Sequence, residues 1–315
     1  MALRGLKLFN EMRLSPRDGG IGSGGVNTTM VIALCTLMIG VMLSMPEVTG
    51  NAAREALRIW GLDVVPSLFP YMVFCRLIAS RLKRIGLPAM PSAIGLGTLG
   101  GSPSGAAVVS VYARMGSLTH RQVRMLAAWT GTISPMFLLS TVDTWVQNAH
   151  VCRLLLLSHL AGAAAAMAVA GWFPRKEPTP PCRTQAPLSA SSSANPIAES
   201  VESILNVGGC IVFFSVMAAG CCALLPCLRG TPGAIVHAVL EVSGGLHALC
   251  RVSLPLERTA VMMAAASGFS GLSILTQNLL FLRPLGIGLH QLIAFGLLRA
   301  AAAAAVMRLL LALPL

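Results

Sequence analysis

The stretches at residues 100–106 (GGSPSGA) and 241–246 (EVSGGL) place glycine, serine and proline inside segments that are otherwise apolar enough to lie in a bilayer. Lipid offers no hydrogen bonds, so a broken backbone at that depth persists only where protein packs around it or water reaches it. Interrupted segments in corresponding places of two halves are typical of internally repeated transporters. The two stretches are therefore the first candidates for a substrate path.

The composition of the chain indicates a polytopic membrane protein. Of its 315 residues, 55% are hydrophobic and 11% are charged, and the mean hydropathy is +0.75. Soluble domains have about 45–50% apolar and 25% charged residues. The formal charge of +12 comes from short basic clusters between apolar runs, which is typical of topology signals and not of a nucleic-acid-binding face. We therefore expect lipid as a partner and no nucleic acid.

Apolar runs long enough to cross a bilayer, about 17–25 residues each, divide the chain into two membrane halves. We predict a cytoplasmic N-terminal tail at 1–27, a first membrane half at 28–173, a cytoplasmic linker rich in Pro and Ser at 174–197, and a second membrane half at 198–315. The run at 28–46 follows the basic tail without a small-residue cleavage site, which indicates an uncleaved first span. The apolar segments are 28–46, 61–80, 92–113, 123–142, 151–173, 201–228, 232–250, 259–282 and 286–313.

The distribution of Lys and Arg predicts that 92–113 and 232–250 are re-entrant hairpins and not full crossings. If both segments return to the side they entered, fourteen basic residues lie inside and six outside; if both cross, the split is ten to ten. Basic residues concentrate in cytoplasmic loops, so the hairpin arrangement is favoured. It leaves seven full crossings. The predicted fold class is an all-α polytopic membrane protein with inverted repeats, each containing a re-entrant helical hairpin.

The two interrupted stretches, with the segments that follow them, supply the candidate binding residues. A glycine and proline break exposes backbone amides, and the helix that restarts after it directs its positive end at the break, where an anion is stabilised. Tight packing of small residues is the alternative explanation. The candidates in the hairpins and in TGTISP (130–135) and SGFSGLS (267–273) with its extension are Ser102, Pro103, Ser104, Gly105, Thr132, Ser134, Glu241, Ser243, Gly244, Gly245, Ser270, Ser273 and Gln277.

Three ionisable residues in apolar runs complete the candidate site. Charges in the membrane are costly and usually face a partner or water, so Glu241 is a candidate for coupling to a proton or a cation. Its alternative role is a structural hydrogen bond to the hairpin backbone. Arg76 and Arg299 either balance a carboxylate substrate or pair with Glu241 or Asp143.

No motif for catalysis, a metal or a cofactor stands out in the sequence. The chain contains no HExxH, Walker-type loop, GxSxG or dinucleotide fingerprint. The histidines are isolated, and for each an interfacial or helix-end role is the favoured interpretation. We therefore expect no enzyme activity, no metal and no cofactor, and any transport to be passive or ion-coupled.

The order of the motifs resembles the YlbJ type of sporulation integral membrane protein. The resemblance rests on Leu68-Phe69-Pro70, GGSPSGA, TGTISP, EVSGGL and GFSGLSILTQ (268–277), and it extends from about residue 30 onward. Where such proteins usually read SGYPMGA and TNTSNP, this chain has Ser102, Ser104, Gly131 and Ile133. The resemblance implies two copies of the nucleoside recognition, or gate, domain, with paired re-entrant hairpins around a site near the membrane midplane.

The resemblance also implies a role in spore maturation. The family is associated with moving dipicolinate, a small aromatic dicarboxylate, across the outer forespore membrane. The expected function is thus a transporter or channel for a small organic anion, in the bacterial cell membrane. Two alternatives remain open, a nucleoside transporter and a non-transporting scaffold for spore-envelope assembly. A homo-oligomer is possible with any of them.

Overall fold

The structure, a computed structural model, describes residues 28–82, 87–172 and 195–313, and within these ranges every regular element is a helix. The all-α fold class is thereby confirmed. The predicted tail at 1–27 and most of the predicted linker at 174–197 lie outside the described residues. The α-helices are α1 (Thr28–Ser44), α2 (Pro46–Arg58), α3 (Val65–Leu82), α4 (Ala89–Gly100), α5 (Ser104–Arg114), α6 (His120–Trp129), α7 (Val142–Val146), α8 (Ala149–Trp172), α9 (Pro196–Leu224), α10 (Thr231–Leu240), α11 (Val242–Cys250), α12 (Leu256–Phe269), α13 (Gly271–Leu282) and α14 (Leu289–Ala312).

Five helical segments of the described chain are long and apolar enough to cross a membrane. They are Pro46–Ile78, Ala149–Trp172, Pro196–Leu224, Leu256–Leu285 and Leu289–Ala312. Large hydrophobic side chains such as Phe213, Leu297 and Leu309 are exposed on their outer faces, as lipid contact requires. The chain is an integral membrane protein.

The predicted crossings at 28–46 and 123–142 are not among these five long helical segments. The first contains the shorter helix α1, and the second is interrupted. The chain divides at Gly40 into two compact units, and α2 to α14 all belong to the second unit, Val41–Leu315. The number of full crossings stays a prediction.

Both glycine-rich stretches form the turn of a helical hairpin. Helices α4 and α5 pack side by side on either side of residues 101–103, and α10 and α11 do so on either side of Glu241. Glycine allows the close approach of the arms, because a Cβ on Gly105 would lie 3.1 Å from the Cα of Gly97, and a Cβ on Gly245 would lie 2.1 Å from the Cα of Ala238. We call these two elements hairpin 1 (α4–α5) and hairpin 2 (α10–α11).

The segment that follows each hairpin is a broken helix. After hairpin 1, α6 ends at Trp129, residues 130–134 are irregular, and the helix restarts at Pro135 and continues as a π-helical turn at Phe137–Thr141 that leads into α7. After hairpin 2, the break between α12 and α13 is a single residue, Ser270, in the left-handed region with φ of 73°. Each half therefore runs hairpin, broken helix, long helix. The opposite orientation of the halves in the bilayer stays a prediction.

The long last helices of the two halves, α8 and α14, pack against each other and enclose the breaks. Small residues make this possible: a Cβ on Gly162 of α8 would lie 2.7 Å from the carbonyl oxygen of Arg299. Helix α12 approaches α14 in the same way, because a Cβ on Gly268 would lie 2.8 Å from the Cα of Ala300. Close backbone approach through Gly and Ala is the usual way membrane helices associate. The packing brings residues of both breaks within reach of α8 and α14.

Candidate functional site

The turn of hairpin 1 is docked onto the break of the first half and onto α13 of the second. The backbone N–H of Ser102 donates to the carbonyl of Thr132 at 3.1 Å, and the Ser102 hydroxyl donates to Oδ1 of Asn278 at 2.6 Å. The Ser134 hydroxyl donates to the carbonyl of Leu99 at 3.1 Å. Gly101 has a φ of 60°, and a Cβ there would lie 2.8 Å from the nitrogen of Ser134, so this turn requires glycine.

The turn of hairpin 2 is organised by the carboxylate of Glu241. Its two oxygens accept the backbone N–H groups of Ser243 at 2.9 Å and Gly244 at 2.6 Å, so Glu241 is the N-cap of α11. Only 1% of Glu241 is exposed. The two amides and the positive end of the helix stabilise a negative charge here, in place of a cationic side chain. In the structure, Glu241 therefore forms the structural hydrogen bonds to the hairpin backbone that were given as its alternative role.

Hydrogen bonds also join the two breaks to each other. The hydroxyl of Ser270, at the second break, donates to the carbonyl of Gly131 at the first break, and Nδ2 of Asn278 donates to the carbonyl of Thr130 at 3.2 Å. All four residues are buried. Carbonyls freed by a helix break need such partners away from water.

Arg299 of α14 bonds the ends of both helices that precede the breaks. Its Nε donates to the carbonyl of Gly268 at 2.9 Å, and its Nη1 donates to the carbonyl of Ala128 at 2.8 Å. The residue is 1% exposed. A guanidinium beside two helix C-termini complements the negative ends of their dipoles. Its predicted pairing with Glu241 or Asp143 is not what the structure contains, so that alternative is wrong.

His159, in the middle of α8, forms a hydrogen bond with the first break. Its Nε2 accepts the backbone N–H of Ile133 at 2.9 Å, and the residue is fully buried. The interpretation of this histidine as interfacial or helix-ending is therefore wrong. The sequence carries no local signal for its role, because the amide it satisfies belongs to a break 26 positions earlier.

One cavity lies where the two hairpin turns and the two breaks meet. Its volume is about 30 Å³, enough for roughly one or two water molecules. The polar part of its lining consists of Ser102, Ser134, Glu241, Ser243, Ser273 and Gln277. The apolar part consists of Val64, Leu68, Ile133, Phe137, Val207, Ile211, Val242 and Ile274. We call this space the central cavity.

Six of the predicted site residues thus line the central cavity, and the others have different places. Gln277 is notable among the six because its Oε1 is buried without a hydrogen-bond partner, while its Nε2 donates to the Ser273 hydroxyl at 3.2 Å. The hydroxyls of Ser104 and Thr132 are likewise buried and unpartnered. The predicted residues outside the lining are Arg76, Pro103, Ser104, Gly105, Thr132, Gly244, Gly245, Ser270 and Arg299.

Arg76 lies at the periphery and ties α3 to α9. Its Nη1 is 2.6 Å from Oε2 of Glu199, and its Nη2 donates to the Ser203 hydroxyl. The pairing of Arg76 with Glu241 or Asp143 is therefore also wrong. Among the residues that the structure describes, no three His, Cys, Asp or Glu side chains converge in a way that could hold a metal ion.

Comparison with known proteins gives one curated relative. The sporulation integral membrane protein YlbJ of Bacillus subtilis (strain 168) is 22% identical to this chain over 309 residues, a match that covers 80% of this chain and 75% of the relative. No family model matches the chain, and no solved structure matches it. The match supports the YlbJ-type resemblance seen in the motifs. The presence of nucleoside recognition domains stays a prediction.

Proposed function

We propose that this chain, a sporulation integral membrane protein of the YlbJ type, carries a small organic anion through the central cavity. The observation that supports the proposal most directly is the meeting of two hairpin turns and two broken helices around buried polar groups inside an apolar bundle. Such breaks at membrane depth are where transporters bind their solutes. The specific substrate that we propose is dipicolinate, which the protein would move across the outer forespore membrane. As a carrier, the protein would release its solute unchanged.

The chemistry of the cavity suits a carboxylate that is held mainly by neutral donors. The amides of Ser243 and Gly244 at the start of α11 already bind one carboxylate, that of Glu241. The Ser273 hydroxyl, which accepts from Gln277, has its own O–H as a further donor. The hydroxyls of Ser102 and Ser134 donate to Asn278 and to the Leu99 carbonyl in this structure, so they would have to exchange partners to bind the solute. Because 30 Å³ is far too small for an aromatic dicarboxylate, the structure corresponds to a closed state, and the hairpin turns must separate before the solute enters.

Uptake into liposomes tests the proposal directly. Purified protein reconstituted into vesicles should take up radiolabelled dipicolinate above the level of protein-free vesicles, and unlabelled dipicolinate should compete. Equal uptake with and without protein would exclude the carrier function and favour a scaffold role.

The substitution Gln277→Leu should lower dipicolinate uptake about tenfold, because a hydrogen bond to a charged partner contributes roughly 1.5 kcal/mol or more. The Gln277 amide group has two N–H donors, one of which bonds the Ser273 hydroxyl, so the other can donate to a carboxylate of the solute, while the free Oε1 can accept from water. Thr276→Val is the matched control, since the Thr276 hydroxyl bonds only to the carbonyls of Leu272 and Ser273 in its own helix. Initial rates of both variants are compared with the unmodified protein. Equal rates for the two variants would argue against solute contact at Gln277.

A nucleoside is the second candidate solute, and the lining of the cavity is the reason. Its polar side chains are neutral except for Glu241, and no basic side chain belongs to its described lining. A carboxylate and several hydroxyls bind the hydroxyl groups of a ribose well. Competition of labelled dipicolinate uptake by excess uridine or adenosine would favour the nucleoside, and the absence of competition would favour the anion.

A further inference from the structure

We propose that Glu241 takes up a proton by way of His237 before the solute binds, so that one proton accompanies each anion; this inference rests on the proposed function. The charge of Glu241 determines whether an anion can enter the central cavity. Glu241 is the single ionisable side chain in its described lining. A second carboxylate in this small, low-dielectric space would be strongly repelled by an ionised Glu241. A neutral Glu241 removes the repulsion.

Protonation of Glu241 also frees the groups that would bind the solute. In the structure, the amides of Ser243 and Gly244 donate to the two Glu241 oxygens. Hydrogen bonds to an ionised acceptor are about twice as strong as bonds to a neutral one. Once Glu241 is a neutral acid, an incoming carboxylate therefore competes successfully for the same two amides. Glu241 occupies the anion position in the closed state and leaves it on protonation.

His237, on the other arm of hairpin 2, is placed to deliver the proton. Its Nε2 and the Glu241 Oε2 lie 3.0 and 3.2 Å from the position that a Cβ on Gly244 would take, so the imidazole and the carboxylate border the same space beside Gly244, where the residue has no side chain. The Nε2 atom is buried and has no hydrogen-bond partner. One water molecule or a small rotation of the ring closes the gap.

His247 connects His237 with the surface of the protein. It lies on α11 one turn after Gly244, the residue beside which the His237 Nε2 lies. Its Nδ1 is 3.7 Å from Oε1 of Glu55, and the two side chains are 24% and 46% exposed. The titratable and charged groups around this path are His237, His247 and Arg251 on hairpin 2 and its end, Glu55, Arg58 and Asp63 on α2 and the π-helical turn after it, and Cys210 on α9 beside Gln277.

The proton balance of the step is simple. A proton from water enters at His247 and binds the free Nε2 of His237. It then passes to a carboxylate oxygen of Glu241, and the imidazole is left neutral for the next cycle. On release of the anion at the other side, Glu241 loses the proton to water and binds its two amides again.

Dipicolinate accumulation in vesicles held at zero membrane potential tests the coupling. With one proton per anion, the ratio of internal to external anion at equilibrium should rise about tenfold for each unit of inward pH gradient. Entry of dipicolinate should also acidify the lumen, as reported by a trapped pH dye. Equilibration without any effect of the gradient would overturn the proton coupling but keep the carrier, whereas absent uptake would overturn the proposed function itself.

Two variants and a control test the residues of the path. The glutamine in Glu241→Gln cannot take up or release a proton, so dipicolinate should reach equal concentrations inside and outside at any pH gradient. His237→Gln should slow the initial rate about tenfold while the final accumulation ratio stays that of the unmodified protein, a split that a purely structural defect does not produce. His150→Gln, at an exposed position, should match the unmodified protein in both readouts. If Glu241→Gln does not fold, His237→Gln decides alone: an unchanged rate, or a lost accumulation ratio, overturns the relay.

Discussion

Replacing Arg299 by leucine should lower the free energy of unfolding by about 3–5 kcal/mol and abolish uptake. The guanidinium donates to the carbonyls of Ala128 and Gly268 while only 1% of the residue is exposed. A hydrogen bond to a charged group contributes roughly 1.5–3 kcal/mol, and the two carbonyls stay behind without partners in a buried place. The free energy of unfolding is measured by denaturant titration in detergent micelles.

Two further substitutions give this prediction its controls. Arg299→Lys keeps the charge but replaces the planar fork by one ammonium group, so we expect an intermediate loss. Arg308→Leu removes an exposed arginine from the same helix, and it should change the free energy of unfolding by less than about 0.5 kcal/mol. If Arg299→Leu were as stable as Arg308→Leu, Arg299 would not hold the two breaks.

Replacing Gly245 by alanine should destabilise the protein by about 3 kcal/mol and abolish uptake. The added methyl group would lie 2.1 Å from the Cα of Ala238, a backbone atom that cannot rotate away. Overpacking of this kind costs roughly 1–3 kcal/mol and occasionally more. Alanine is the better helix former by about 1 kcal/mol, but this gain is smaller than the clash. The arms of hairpin 2 would separate, and the amides that bind Glu241 would move.

Gly95→Ala is the matched control for this prediction. Gly95 lies in α4, an arm of hairpin 1, and a Cβ there meets nothing within 4 Å. The free energy of unfolding of this variant should stay the same or rise by roughly 0.5–1 kcal/mol. Denaturant titration of both variants in the same detergent makes the comparison. A Gly245→Ala protein as stable as Gly95→Ala would show that the arms of hairpin 2 are not closely packed in the membrane protein.

The residues of the site differ in how far sequence alone could predict them. Glycine-rich turns and hydroxyl-bearing breaks are local features, so Ser102, Ser134, Ser243, Ser273 and Gln277 were predicted and do line the central cavity. The charged residues were harder. The position of Arg299 in an apolar run made it a candidate, but its partners are backbone carbonyls. Every residue has a backbone carbonyl, so the sequence does not indicate which ones Arg299 bonds.

His159 and His237 illustrate the same limit for titratable residues. Each is a single histidine in an apolar helix, a pattern that is compatible with many roles. Their partners, the amide of Ile133 and the neighbourhood of Gly244 and Glu241, come together only when the helices pack. For Arg76, the predicted partners were wrong because its partner, Glu199, lies 123 positions later in the chain, in the first turn of α9.

The sequence by itself determined the membrane class, the helical hairpins and their glycine turns, because hydropathy and backbone freedom act over a few consecutive residues. The tertiary structure decided which polar groups share a cavity, and that Arg299 and His159 satisfy broken backbone while Glu241 binds the amides of its own helix. These choices depend on distances between helices that are remote in the chain. Inside an apolar bundle, every buried polar group needs a partner, and packing selects that partner.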